Sequence, residues 1–128
     1  MTKVLEFYKC DDCGTVVMVT HSGEGPVMSP AGKPMRLLEE KMQEEGLTEK
    51  HVPVIEKTAN GIKVRVGANP HPMIKEHYIQ WISVKDGRNL YIHALRPGEP
   101  PEAEFPVDNP NVKSMIYCNV HDIWTNKK

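Results

Sequence analysis

Long apolar runs are missing from this chain. Of its 128 residues 39% are hydrophobic, and no stretch approaches the roughly 18 consecutive apolar residues that a membrane span requires. Charge of one sign is missing as well. Its 16 Lys and Arg against 17 Asp and Glu leave a net charge of −1, so no basic field invites nucleic acid or an anionic membrane surface. The opening Met1-Thr2-Lys3-Val4-Leu5-Glu6 lacks the apolar stretch of a secretory signal, which makes the cytoplasm the expected compartment. Cysteine is scarce and odd in number, at 3. That excludes a fully paired disulfide framework, and in a reducing compartment points cysteine toward metal or redox chemistry.

What is present divides into two pieces. Residues 1–36 form a short unit around Cys10-Asp11-Asp12-Cys13-Gly14, followed by the apolar Val16-Val17-Met18-Val19 and by turns at Gly23-Glu24-Gly25-Pro26 and Pro30-Ala31-Gly32-Lys33-Pro34. Residues 37–50 are charged and read either as one or two amphipathic helical turns or as a solvated linker. Residues 51–128 read as β. Ala59-Asn60-Gly61 is a hairpin signal, and Ile62-Lys63-Val64-Arg65-Val66 alternates with the period of a half-buried strand. Further strands are expected over Tyr78–Val84, Leu90–Leu95, Glu104–Val107 and Val112–Tyr117. Short strands at regular spacing with no long helix predict an all-β fold, an immunoglobulin-like antiparallel β-sandwich.

Five residues carry candidate chemistry: His51, His71, His77, Cys118 and His121. His51 opens the first strand of the sandwich. His71 and His77 flank Pro72-Met73-Ile74-Lys75-Glu76, a loop whose ends can lie close together. Cys118-Asn119-Val120-His121 sets a thiolate and an imidazole three residues apart at the end of the last expected strand, so that one loop can give two ligands to one ion. Spacing alone does not bring the three segments together. His21 and His93 read as ordinary surface or hydrogen-bonded histidines.

The segments have a family likeness. Glu49-Lys50-His51-Val52-Pro53-Val54, Gly67-Ala68-Asn69-Pro70-His71-Pro72-Met73 with His77-Tyr78-Ile79-Gln80-Trp81, and Tyr117-Cys118-Asn119-Val120-His121 resemble, in order, the iron-binding segments of the desulfoferrodoxin and neelaredoxin family. The resemblance implies superoxide reductase activity, the one-electron reduction of superoxide to hydrogen peroxide. It implies one mononuclear Fe2+/Fe3+ ion per chain, with four histidine nitrogens in a plane and the Cys118 sulfur beneath it. It implies that Lys50 attracts superoxide and helps deliver protons, and that Glu49 binds the ferric ion once product leaves. Read by itself, that Glu-Lys pair is a solvated charge doublet. A rubredoxin-like electron donor, a homodimer and a small desulforedoxin-like N-terminal unit are further expectations of the resemblance.

The chain departs from the two-iron members of that family at its N-terminus. They bind a second iron with Cys-x-x-Cys and a later adjacent cysteine pair, whereas here Cys10 and Cys13 are followed only by Val27-Met28-Ser29-Pro30. Two thiolates do not complete a four-sulfur site, and thioether and hydroxyl are poor substitutes. The expected outcome is an N-terminal unit without iron; a Cys10–Cys13 disulfide, or an ion completed by water or a partner chain, are the alternatives. Two other readings compete for the whole chain. A blue-copper electron carrier also closes with a cysteine–histidine loop, but needs an axial ligand such as methionine after that histidine, where this chain has Ile123-Trp124-Thr125-Asn126. A metal-free immunoglobulin-like binding module accounts for the strands and leaves the histidine segments as coincidence.

Overall fold

A computed structural model describes residues 1–127, which fall into two units, Met1–Glu39 and a second beginning at Glu40. In the first, β1 (Phe7–Lys9), β2 (Val16–Met18) and β3 (Arg36–Leu37) form an antiparallel sheet in the order β2-β1-β3. Phe7, Cys10 and Leu38 are its buried apolar side chains. The β1–β2 connection is the Cys10–Cys13 segment, closed by the Gly14 N–H donating to the Cys10 carbonyl at 2.8 Å and the Cys10 N–H donating to the Thr15 carbonyl at 2.9 Å. Gly14 takes φ +83° in that turn, a conformation glycine adopts without penalty.

The second unit opens with a four-residue helix, α1 (Thr48–His51), and continues through β4 (Pro53–Thr58), β5 (Gly61–Val66), β6 (Ile79–Asp86), β7 (Asn89–Ala94), β8 (Glu102–Phe105), β9 (Lys113–Cys118) and β10 (Asp122–Thr125). These make two antiparallel sheets, β10-β9-β6-β7 and β4-β5-β8. The all-β sandwich expected from the strand pattern is therefore present. The strict alternation in β5 has the anticipated physical meaning: Ile62, Val64 and Val66 are buried, while Lys63 and Arg65 point the other way, toward ion pairs with Glu102 and Glu56. Their apolar faces meet Ile79, Ile82, Val84, Ile116, Cys118 and Trp124 of the other sheet in one core.

The Ala59-Asn60 turn joins β4 to β5 as the hairpin signal predicts, with Thr58 paired to Gly61. A Cβ at Gly61 would lie 2.1 Å from the Phe105 carbonyl oxygen, so β8 can pair closely only because that position has no side chain. Several local expectations differ from the structure, among them the strands over Tyr78–Val84 and Leu90–Leu95, which run Ile79–Asp86 and Asn89–Ala94. The strand expected over Glu104–Val107 begins earlier, at Glu102, and that over Val112–Tyr117 runs one residue later at each end. His51 ends a helical turn rather than opening a strand. The chain also forms β10 after the cysteine–histidine loop, so that this loop is a hairpin turn with Cys118 paired to Asp122. Asp122 takes φ +64°, a conformation aspartate tolerates better than most residues. In the charged segment before α1, Lys41 bridges to Trp124 and Leu47 packs on the sandwich core.

Candidate metal centre

Three turns at one end of the sandwich supply the site: α1 gives His51, the β5–β6 connection gives His71 and His77, and the β9–β10 hairpin gives Cys118 and His121. One ligand atom from each of the five lies within 4.8 Å of every other. The structure thus brings together the whole set that the sequence left in separate segments. His21 and His93 are exposed and belong to no such group.

Hydrogen bonds determine which nitrogen each ring presents. His51 Nδ1 lies 2.7 Å from the Leu47 carbonyl oxygen, and His71 Nδ1 lies 2.6 Å from that of Pro72. A carbonyl only accepts, so both Nδ1 atoms carry the proton and both Nε2 atoms present lone pairs. Those two Nε2 atoms are 3.1 Å apart, and His71 Nε2 is 3.4 Å from Cys118 Sγ. Two lone pairs aimed at each other across 3.1 Å repel, unless a cation lies between them. His121 turns its Nδ1 toward Cys118 Sγ at 3.8 Å, and His77 Nε2 is buried without a hydrogen-bond partner. An orphaned buried nitrogen costs free energy that a metal ion recovers. Four imidazoles and a thiolate exceed the four ligands of a structural zinc site and suit iron.

Electrostatics agree with that chemistry. Burial, reinforced by the neighbouring imidazoles, pushes His71 down to about 4 and lowers His51 and His77 from the ordinary histidine value. Near neutral pH these rings are uncharged, the form that binds metal. His51 also stacks on Trp124, with ring centroids 4.9 Å apart at 26°. The Trp124 indole N–H donates to the His121 carbonyl at 3.0 Å, so one buried side chain braces two members of the site.

A pH dependence follows for protein stripped of metal by a chelator. His71 binds a proton at about 4 when folded and near 6.5 when unfolded, so between those values the unfolded chain holds more protons. The contribution of neutral His71 to folding stability is then fully present above about pH 6.5, declines as the pH falls toward 4, and levels off below it. Urea midpoints measured from pH 7.5 to 3.5 check this, and the decline is expected to be shallower in His71→Gln.

Outside the five, Glu49 and Lys50 are both exposed. The Asn69 amide donates to Glu49 Oε2 at 2.8 Å, and the Asn69 backbone N–H donates to the Glu49 carbonyl at 2.9 Å. Gly67 lies against the same turn: a Cβ there would come within 2.7 Å of the Glu49 carbonyl oxygen. The positive charge of Lys50 reaches the cluster, being among the causes that lower His77. In the N-terminal unit Ser29 is occupied within its own turn, its hydroxyl accepting the Lys33 N–H at 3.2 Å, while Met28 is 47% exposed. Asn69, Gly67 and Trp124 carry no ligand chemistry; Gly67 and Asn69 lie in a segment with the family likeness, but nothing in the sequence gives any of the three a bracing role.

Comparison with known proteins decides the family. The Desulfoferrodoxin family profile matches residues 43–127, and that of the desulfoferrodoxin N-terminal domain matches residues 2–38. This chain belongs to the desulfoferrodoxin family. It is 48% identical over 124 residues to a desulfoferrodoxin of Nitratidesulfovibrio vulgaris, covering 97% of each chain. Against a desulfoferrodoxin homolog of Archaeoglobus fulgidus it is 46% identical over 124 residues, covering 97% of this chain and 98% of the other. The crystal structure of the superoxide reductase from Treponema pallidum superposes with a TM-score of 0.77 at 27% identity, covering 99% of this chain and 100% of that one. Desulfoferrodoxin membership and the five-donor cluster together set aside the blue-copper and metal-free readings.

Proposed function

We propose that this chain is a superoxide reductase that converts superoxide to hydrogen peroxide, detoxifying it, at one iron held by His51, His71, His77, His121 and Cys118. The observation that carries this reading is the donor set itself: four imidazoles and a cysteine sulfur within 4.8 Å of one another, with two tautomers locked by backbone carbonyls. Bound there, iron supplies a one-electron Fe2+/Fe3+ couple. Reduction of superoxide takes up that electron and two protons and leaves the O–O bond intact.

The chain's own groups divide the remaining work. Buried Cys118 would give such an ion a sulfur ligand, and a thiolate ligand raises electron density at the metal, as cysteine ligands do in some haem proteins. His51 and His71 are buried, whereas His77 and His121 are partly exposed, which places the approach for a small anion on their side. Lys50 Nζ attracts superoxide and supplies a proton. Glu49, held by Asn69, is the carboxylate that would be available to a ferric ion bound at the site. The division of the chain into a desulforedoxin-like unit (1–36), a linker (37–50) and an iron-binding sandwich (51–128) belongs to the same proposal, as do a cytoplasmic homodimer and electron supply by a rubredoxin-like protein.

Anaerobic metal analysis tests the reading: one iron per chain and a blue ferric form are expected. Because Met28 and Ser29 stand where a cysteine pair would be needed, no red four-sulfur chromophore accompanies it. Two tightly bound irons, or copper in place of iron, would contradict the assignment.

Lys50→Ala tests the attraction. Two unit charges about 8 Å apart interact by roughly 0.5 kcal/mol in water and about 2 kcal/mol at an effective dielectric of 20. At ~1.4 kcal/mol per decade, loss of the charge slows the bimolecular reaction with superoxide by about two- to thirtyfold, with iron content and colour retained. The decline of that rate with added salt also weakens. Glu49→Ala leaves the bimolecular step near wild type. Unchanged kinetics and salt dependence in Lys50→Ala would show a solvated surface charge and nothing more.

A further inference from the structure

The metal centre leaves two cysteines unused. Cys10 is buried at 4% exposure and Cys13 is exposed, and both are free thiols. The short β1–β2 turn keeps them close: the Cys13 backbone N–H donates to Cys10 Sγ at 3.3 Å, and Cys13 Sγ lies 3.4 Å from Thr15 Oγ1. Hydrogen bonds with Thr15, and then with Cys10, lower the Cys13 thiol from its ordinary value. The two acids between the cysteines do not oppose a thiolate there. Asp11 is paired with Arg36 at 3.0 Å and Asp12 with Lys33 at 3.6 Å. An exposed, hydrogen-bonded sulfur backed by a second, shielded sulfur in a Cys-x-x-Cys turn is the arrangement of an attacking and a resolving thiol.

We propose that Cys10 and Cys13 form a peroxide-reactive dithiol, in which Cys13 is the attacking sulfur and Cys10 resolves it to an intramolecular disulfide. The Cys13 thiolate attacks one oxygen of hydrogen peroxide. The O–O bond breaks, hydroxide leaves and is protonated to water, and Cys13 becomes a sulfenic acid. Cys10 sulfur then displaces the remaining hydroxyl as a second water, its own proton going to that leaving group, and the S–S bond forms. The two thiols together lose two electrons and the peroxide gains them, so each dithiol consumes one peroxide. This goes beyond the proposed reductase activity and borrows from it only the source of the peroxide. With peroxide added directly, its failure is separable from failure of the iron reading.

The test uses full-length, iron-loaded protein treated with one equivalent of hydrogen peroxide, alkylated, digested and mapped by mass spectrometry. In the wild type both Cys10 and Cys13 lose alkylation, the peptide loses two hydrogens in mass, and dithiothreitol restores both thiols. In Cys10→Ser the same dose drives Cys13 to sulfenic and then sulfinic acid, which dithiothreitol no longer fully reverses. In Cys13→Ser the shielded Cys10 stays alkylatable only after unfolding. Iron content and superoxide kinetics are unchanged in both variants. Retention of both thiols in the wild type overturns the proposal, as does equal sulfinic acid at Cys13 with and without Cys10. A metal ion found coordinated by the pair overturns it too.

Discussion

Cys118→Ser is expected to abolish the red sulfur-to-iron charge-transfer band of the oxidised protein and to lower superoxide reduction by more than a hundredfold. The side chain is fully buried, with its sulfur 3.4 Å from His71 Nε2 and 3.8 Å from His121 Nδ1. A serine hydroxyl there is shorter, harder and protonated at neutral pH, so it neither donates charge as a thiolate does nor reaches the same point. Changing groups that merely orient ligands costs about 10- to 100-fold in metal affinity or activity, and removal of a ligand itself exceeds that. The control is Cys10→Ser, whose sulfur belongs to the other unit and whose loss leaves band and activity intact. If Cys10→Ser lost the band and Cys118→Ser kept it, the centre would lie in the N-terminal unit.

Trp124→Ala is expected to have the largest effect on folding and a secondary effect on the metal. Trp124 is the largest fully buried side chain, and a cavity of that kind costs about 3–5 kcal/mol. For a domain of this size, that lowers the melting midpoint by roughly 10–30 °C. The loss is not confined to packing, because the indole stacks on His51 and donates to the His121 carbonyl. Trp124→Phe separates the contributions. It keeps an aromatic face against His51 and loses the N–H, so most of the stability should return while the ferric band shifts or broadens. A Phe variant as unstable as the Ala variant would show that the indole N–H, and not the stack, carries the effect. Calorimetry on iron-loaded protein with parallel visible spectra gives both readouts.

Parts of this arrangement were legible in the residues and parts were not, for physical reasons. The β4–β5 hairpin announces itself because a period of two and the Ala59-Asn60-Gly61 turn signal are local, although the structure turns at Ala59-Asn60 and takes Gly61 into the strand, paired with Thr58. β10 escapes such a reading because Asp122-Ile123-Trp124-Thr125 is short and follows residues whose chemistry suggests an ending rather than a turn. His51 is misplaced by one element for a similar reason: four residues of helix leave no periodicity to detect. Convergence of the five ligands spans His51 to His121 and depends on two sheets and three turns, so no spacing rule contains it; only family likeness pointed to it beforehand. The features that orient the site are less visible still. Leu47 and Pro72 act through backbone carbonyls, which every residue has, and Asn69 reaches Glu49 from 20 positions away.

The product ratio tests the central claim most directly. Anaerobically reduced, iron-loaded protein is exposed to a measured pulse of superoxide smaller than its iron content, and hydrogen peroxide and dioxygen are quantified together. A reductase yields one peroxide per superoxide consumed, oxidises one iron per event and releases no dioxygen. Half that peroxide accompanied by dioxygen would mean dismutation, and superoxide decay no faster than in buffer would mean that the five-ligand centre serves another purpose.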